Sequence, residues 1–312
     1  MTQREFAVDK RSREARCNRI AIGVSSPSPR LRGEGRGEGA YPQAQDCGQA
    51  PSPILSPQAG RGEGGRDVVL FADTFNRYFE PENLHAAVNV LHAGGYHVQV
   101  ATPSDGSRRP LCCGRTFLAV GRVDEARREA ERTIAAIEPF VASGLPVVGL
   151  EPSCIFSFRD EIPAIMRDER ATRVADRAVL FEEFLAREAG AGRLALPLAP
   201  LRGRVLLHGH CHQKAFGAMG AVEAALKLVP GLEVETIESS CCGMAGSFGY
   251  HAETIDASLA MGELSLLPAV RKAPNDALLV ADGTSCRHQI KDGAGREAVH
   301  VARVLARNLM AM

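Results

Sequence analysis

Glu238-Ser239-Ser240-Cys241-Cys242-Gly243-Met244-Ala245-Gly246 decides how this chain is read, because Pro110-Leu111-Cys112-Cys113-Gly114-Arg115 repeats its Cys-Cys-Gly centre 129 residues earlier. Each triplet is followed by a short apolar run that ends in Ser-Cys, at Ser153-Cys154 and Ser285-Cys286. Adjacent cysteines are poorly placed to bond to each other, since that disulfide strains the peptide between them. Two neighbouring thiolates can instead bind different atoms of one inorganic cluster.

From Asp67 onward, short β-branched runs alternate with helical patterns. Candidate strands are Val68–Ala72, His97–Ala101, Pro146–Leu150, Arg204–His208, Glu233–Ile237 and Ala277–Ala281. A helix should enter at Pro81, a residue suited to the first turn, and stop at Gly94-Gly95. Leu84, Ala87, Val88 and Leu91 give it one apolar face. A second should run from about Asp124 to Val141, with Ala126, Ala130, Ile134 and Ile137 as its buried stripe. The later half offers Ala221–Leu228 and a longer helix near Glu253–Leu267. Both halves share one order of strand, helix, strand, Cys-Cys-Gly, helix, strand, Ser-Cys, helix, which is an internal duplication. Strand–helix alternation implies right-handed crossovers. The expected fold is α/β, two pseudo-repeated small lobes with mostly parallel sheets, the first over residues 67–200 and the second over 201–312.

Residues 1–66 differ in kind. Ser26-Pro27-Ser28-Pro29-Arg30 leads into Gly33-Glu34-Gly35-Arg36-Gly37-Glu38-Gly39, and a similar run follows Pro51-Ser52-Pro53. Such low-complexity sequence buries too little apolar surface to offset its ordering entropy, so a disordered segment is expected. Cys17 and Cys47 fall in it and are set aside. The 37 Lys and Arg balance 37 Asp and Glu across 312 residues, which argues against a nucleic-acid partner. No apolar stretch is long enough to span a bilayer, and Arg and Glu interrupt any signal-peptide core. A cytoplasmic location, or one peripheral to the inner membrane, is the expectation.

Nine cysteines, seven of them in the repeated pattern, argue for metal or redox chemistry over a disulfide framework. Ligands of open parallel sheets collect beyond the carboxyl ends of the strands. Cys211, Cys241, Cys242 and Cys286 each follow a candidate strand of the second half, and four thiolates match an iron–sulfur cluster. Cys112, Cys113 and Cys154 supply three in the first half, a set complete only if Asp73, Glu151 or a water contributes. His208, His210 and His212 are read as ligands in place of thiolate, as hydrogen-bond partners of sulfur, or as turn residues. Lys214 and Arg115 could bind an anionic substrate or offset cluster charge, Arg287 and His288 could face a substrate or flavin, and Glu182-Glu183 reads as a solvated helix face.

The Cys-Cys-Gly pairs resemble the cysteine-rich domains of heterodisulfide reductase and of glycolate oxidase iron–sulfur subunits. A closer resemblance is to the C-terminal part of FAD-linked, iron–sulfur-binding oxidoreductases of the D-lactate and D-2-hydroxyglutarate dehydrogenase type. It is carried by Asp73-Thr74-Phe75-Asn76-Arg77-Tyr78-Phe79, Gly149-Leu150-Glu151-Pro152-Ser153-Cys154, His208-Gly209-His210-Cys211-His212-Gln213-Lys214 and Asp282-Gly283-Thr284-Ser285-Cys286-Arg287-His288, together with the two triplets. The resemblance implies electron transfer through [4Fe–4S]-type centres, with FAD on a flavin-containing partner or domain and a ferredoxin-type cluster domain beside it. It also implies that this chain alone does not complete oxidation of a 2-hydroxy acid, since no flavin-binding segment is read before Asp67. The family pattern has a further cysteine where Gly283 and Glu151 stand, and one among Asp73–Phe75. Two rival readings are a zinc-stabilised interaction module with a closed tetrahedral thiolate site and a gene remnant without function.

Overall fold

The structure, a computed structural model, describes residues 66–310; the expected disordered segment, with Cys17 and Cys47, lies outside the described residues except for Arg66, which opens the first strand. The first lobe contains β1 (Arg66–Phe71), α1 (Thr74–Tyr78), α2 (Pro81–Ala93), β2 (Tyr96–Val100), α3 (Arg115–Ala119) and α4 (Val123–Ala142). It continues through β3 (Val147–Gly149), α5 (Pro152–Ile155), α6 (Glu161–Met166), α7 (Glu169–Ala175), β4 (Ala178–Leu180) and α8 (Phe181–Gly190). The second lobe contains β5 (Gly203–Leu207), α9 (Cys211–Ala215), α10 (Met219–Leu226), β6 (Leu232–Thr236), α11 (Ile255–Glu263) and α12 (Leu266–Lys272). It closes with β7 (Leu278–Val280), α13 (Thr284–Ala294), β8 (Ala298–Val299) and α14 (Val301–Arg307).

Each lobe has one four-stranded sheet, ordered β2-β1-β3-β4 in the first and β6-β5-β7-β8 in the second. Every pairing within these sheets is parallel. An isolated antiparallel bridge, Leu198 with Leu309, lies outside them. The two orders are one topology repeated, so the duplication read from the cysteines extends through the whole sheet. β1 is central, and its Val68, Val69, Leu70 and Phe71 are buried as a continuous apolar run, as expected of a strand covered on both faces. β4 and β8, of three and two residues, were not anticipated because runs that short carry no periodicity.

The anticipated helices hold with one correction. Pro81 opens α2, and Leu84, Ala87, Val88 and Leu91 are buried. α4 buries Ala126, Ala130, Ile134 and Ile137 along one face. The single helix expected over Glu253–Leu267 is instead two, α11 and α12, broken around Leu264 and Ser265. The second helix turns so that Leu266, Leu267 and Val270 all enter the core.

One apolar core runs through both lobes, joining Leu84, Ala87 and Leu91 of α2 with Val301, Ala302 and Leu305 of α14. α14 packs on α2, and α10 packs on α8. Phe156 of the first lobe stacks on Phe216 of the second with ring centroids 4.6 Å apart, and the Arg159 guanidinium lies over both rings. A smaller apolar cluster on the other side of the second sheet includes Ile237, Met244, Leu266, Ile290 and the side chains of Cys242 and Cys286.

Candidate metal centre

All seven cysteines of the repeat lie past the carboxyl ends of the three adjacent strands β2-β1-β3 or β6-β5-β7. In the second lobe, Cys211 is the first residue of α9, Cys241 and Cys242 follow β6, and Cys286 sits in the first turn of α13. The sulfurs run in a row from Cys211 to Cys286: Cys242 Sγ lies 3.5 Å from Cys286 Sγ, and Cys211, Cys241 and Cys242 are near enough to shift one another's ionisation. Cys242 and Cys286 are buried, whereas Cys211 and Cys241 are partly exposed. The row therefore has an inner, dry end and an outer, accessible one.

Gly243 makes the turn possible. Its φ of +97° lies in the left-handed region, and a Cβ there would stand 2.1 Å from the carbonyl oxygen of Ser258. Its N–H donates to Cys241 Sγ at 3.2 Å. Hydrogen bonds from Cys211 and Cys242, with backbone N–H groups of Gly243 and Ala245, hold the Cys241 thiol far below its usual pKa. The Cys286 thiol is also held well down, by Cys242 first and then by the nearby His208 and His210 imidazoles. Cys211 and Cys242 are raised, Cys211 chiefly by Cys241 and Cys242 by Cys241 and Cys286. Four cysteine sulfurs gathered in this way form a soft donor set of the kind that iron or zinc takes up with release of protons.

The first lobe has the same scaffold and opposite electrostatics. Cys113 Sγ lies 3.2 Å from Cys154 Sγ, and the Gly114 N–H donates to Cys112 Sγ at 3.5 Å. Thr74 occupies the first helical position that Cys211 holds in the second lobe. The residue capping that helix is Asp73 in place of His210, and the Ser-Cys helix is capped by Glu151 in place of Gly283. Although Cys113 donates to it, Cys154 is pushed up to about 12 by burial and by the Asp73 and Glu151 carboxylates. Cys112 and Cys113 are raised as well, Cys112 chiefly by donating to Cys113, and Cys113 by donating to Cys154 and by burial, against the bond it receives from Cys112. Burial and neighbouring thiols thus raise all three, and for Cys154 the two capping acids add to the effect.

Both acids are committed elsewhere. Asp73 accepts from the Phe75 and Asn76 N–H groups and from Asn76 Nδ2 at 2.8 Å. Glu151 Oε1 accepts from Ser153 Oγ at 2.8 Å, while Oε2 crosses between lobes to accept the Thr284 N–H at 2.9 Å. Glu80 crosses too, accepting from Arg287 Nε and Thr284 Oγ1. Arg287, which the sequence left able to face a substrate or a flavin, is buried and spends further donors on the carbonyls of Ala281 and Asp282. Its role is to lock the lobes together.

Lys214 Nζ donates to the Ser240 carbonyl at 2.8 Å and Arg115 pairs with Glu161, so both rim cations hold protein groups. His288 contacts the Tyr250 hydroxyl. Glu182-Glu183 is not a solvated face. Glu182 is 0% exposed, beside Asp282 and His300, because α8 begins at the junction between the lobes. Glu183 closes the cap on the Leu180 N–H at 2.9 Å and pairs with Arg159.

His208, the last residue before the His210–His212 turn, is 1% exposed and stands within 4.8 Å of the Cys242 and Cys286 sulfurs. Its signal in the sequence was position alone, directly after a buried strand. His210 fills the space beside Gly283, where an added Cβ would meet its Cδ2 at 2.4 Å. His212 is lowered to about 4 by burial and by His210 and Arg115.

Residues 205–291, from β5 through most of α13, match the family described as the CCG cysteine-rich domain. The chain is 31% identical over 244 residues to a subunit of the anaerobic glycerol-3-phosphate dehydrogenase of Escherichia coli, a match covering 78% of this chain and 59% of that protein. D-2-hydroxyglutarate dehydrogenase of Escherichia coli is 28% identical over 243 residues, 77% of this chain and 22% of the relative. Lactate utilization protein A of Bacillus velezensis is 26% identical over 253 residues, 76% of this chain and 98% of the relative. The chain therefore spans well under two thirds of the two dehydrogenase relatives, and these matches cover both lobes around the cysteine-rich domain. Among the described residues, no helix is long and apolar enough to cross a membrane.

Proposed function

We propose that the cysteine-rich domain of the second lobe holds an iron–sulfur cluster, and that the chain carries electrons between a flavin-bearing subunit or domain and an acceptor. The substrate class is a small hydroxylated anion, a 2-hydroxy acid above all, oxidised on the flavin partner. One observation carries this reading: Cys211, Cys241, Cys242 and Cys286, from three separate strand ends, converge on one rim of the second sheet, with the Cys242 and Cys286 sulfurs 3.5 Å apart. The names of the relatives, dehydrogenases of glycerol 3-phosphate and of a hydroxy acid, support the redox assignment.

The cluster would supply one-electron transfer, and these four cysteines would hold it. The amides of Gly243 and Ala245 stabilise negative charge on the outer sulfur, as backbone donors do at anionic centres. The apolar cluster of Ile237, Met244, Leu266 and Ile290 covers the inner sulfurs and keeps water from them. Cys211 and Cys241, partly exposed, mark the side on which a ferredoxin-type domain or other redox partner docks. The first lobe, with Thr74 for a cysteine and two acids beside Cys154, serves as scaffold and leaves Cys112, Cys113 and Cys154 as thiols. Residence in the cytoplasm, or at the inner face of the membrane in a complex, belongs to the same proposal.

Protein purified anaerobically should be brown, contain iron and acid-labile sulfide, and bleach with dithionite. Cys241→Ser should lose the iron and Cys113→Ser should keep it. A colourless protein containing zinc would show the site to be a closed structural one.

A further inference from the structure

His208 is held in a way that the four-thiolate set does not explain. Its Nδ1 lies 2.9 Å from Ser239 Oγ. Its Nε2 is buried without a well-formed hydrogen bond among the described residues, and the ring lies close enough to Cys286 to help hold that thiol down. That nitrogen, Cys242 Sγ and Cys286 Sγ all lie within 4.8 Å of one another. A buried polar atom left unsatisfied costs about 1–3 kcal/mol, so an orphan nitrogen aimed at two sulfurs needs a reason.

Its neighbours orient the ring. Lys214 Nζ, which can only donate, lies 3.3 Å from Ser239 Oγ, so that hydroxyl accepts from it. That hydroxyl can donate its own O–H to His208 Nδ1 or accept the Nδ1–H, and a metal on Nε2 selects the second tautomer. This tautomer leaves the Nε2 lone pair facing the sulfurs of Cys242 and Cys286. A lone pair turned toward two sulfur donors is repulsive unless a cation lies among them. Fixing the ligating nitrogen through a hydrogen bond on the other one is also how metal-bound histidines are held.

We propose that His208 Nε2 is a nitrogen ligand of the metal centre in the second lobe, joining Cys211, Cys241, Cys242 and Cys286 in a mixed imidazole–thiolate donor set. The inference rests on the iron–sulfur reading above and adds a ligand to it. A neutral imidazole in place of an anionic sulfur reduces the negative charge at the centre, which raises its reduction potential. Ser239 and Lys214 are positioning residues for this ring.

The test uses full-length protein labelled with 15N-histidine, purified anaerobically and examined by pulsed electron paramagnetic resonance in whichever redox state is paramagnetic. The expected result is the strong hyperfine coupling of a directly bonded nitrogen, altered by the isotope in wild-type protein. It should be absent from His208→Asn and His208→Cys. Redox titration should place the potential of His208→Cys below that of wild type, with iron retained. A wild-type cluster that shows only the weak coupling of a remote nitrogen, with an unchanged potential in His208→Cys, would make His208 an N–H donor to sulfur. That outcome overturns this inference and leaves the iron reading standing. Wild-type protein without iron overturns both. The isotope comparison needs no variant, so a misfolded His208→Asn does not weaken the test.

Discussion

Replacing Glu151 by Gln should loosen the union of the two lobes. Glu151 is 2% exposed and serves three donors: Ser153 N–H and Oγ–H on its own lobe, and the Thr284 N–H at the start of α13 on the other. A glutamine of the same shape has one accepting oxygen and one donating NH2. Whichever way it turns, its NH2 faces either Thr284 N–H or the Ser153 donors. The loss is one hydrogen bond to a charged acceptor, with a buried donor left opposed, about 2–4 kcal/mol. Part of that is returned, because Glu151 also repels the buried Asp73 carboxyl and helps raise it. Relieving that repulsion by up to one pKa unit restores about 1.4 kcal/mol at most. The net expectation is a destabilisation of about 1–3 kcal/mol. It should be measured by denaturant unfolding of reduced, metal-free protein, with Glu131→Gln on the exposed face of α4 as the neutral control. A change in Glu151→Gln below about 0.5 kcal/mol would mean that the bond between lobes contributes nothing, and the account of how they are held would be wrong.

Three further expectations follow from the same geometry. Burial, and then Asp282, raises the Glu182 carboxyl well above the usual 4.5, so the folded state keeps a proton that the unfolded chain releases. Stability should therefore fall as pH rises from about 4.5 toward the raised value, and Asp73, raised by burial and Glu151 from 3.8 to about 6, adds a fall between those values. Glu182→Gln should flatten the profile of unfolding midpoint against pH and be the more stable protein at pH 8; an unchanged slope would refute the assignment. Gly243→Ala should cost at least about 1–2 kcal/mol for its left-handed backbone alone, plus the clash with Ser258 O. Gly220→Ala, in α10 with open space around it, should be neutral or slightly stabilising in the same thermal melt. In metal-free protein near neutral pH, Cys241 should react with iodoacetamide well before Cys112, since one thiol is held low and the other high; equal labelling by peptide mass spectrometry would contradict the contrast between lobes.

Much of the scaffold was legible because β-branched runs and glycine stops are local signals. β1, β2, β3, β5, β6 and β7 all fall within a residue or two of their expected spans. β4 and β8 were not, being too short for any period, and the break near Leu264 was missed although Gly262 and Pro268 flank it, because the apolar residues run on across it. At the candidate site, placing cysteines past strand ends anticipated their convergence. The carboxylates were misread or left open for one shared reason: Glu151, Glu80 and Glu182 act across the junction of the lobes. No sequence periodicity reports a partner so far along the chain. Likewise, the contrast between the acid caps Asp73 and Glu151 and their counterparts His210 and Gly283 has meaning only once the two sheets can be superposed strand by strand.

The packing of α14 on α2 bears on how the protein is made. The face of α2 formed by Leu84, Ala87 and Leu91 is completed by Val301, Ala302 and Leu305, the last helix described. During synthesis that greasy surface emerges from the ribosome long before its cover does. The nascent first lobe must wait, open to chaperones, until translation nears the end of α14.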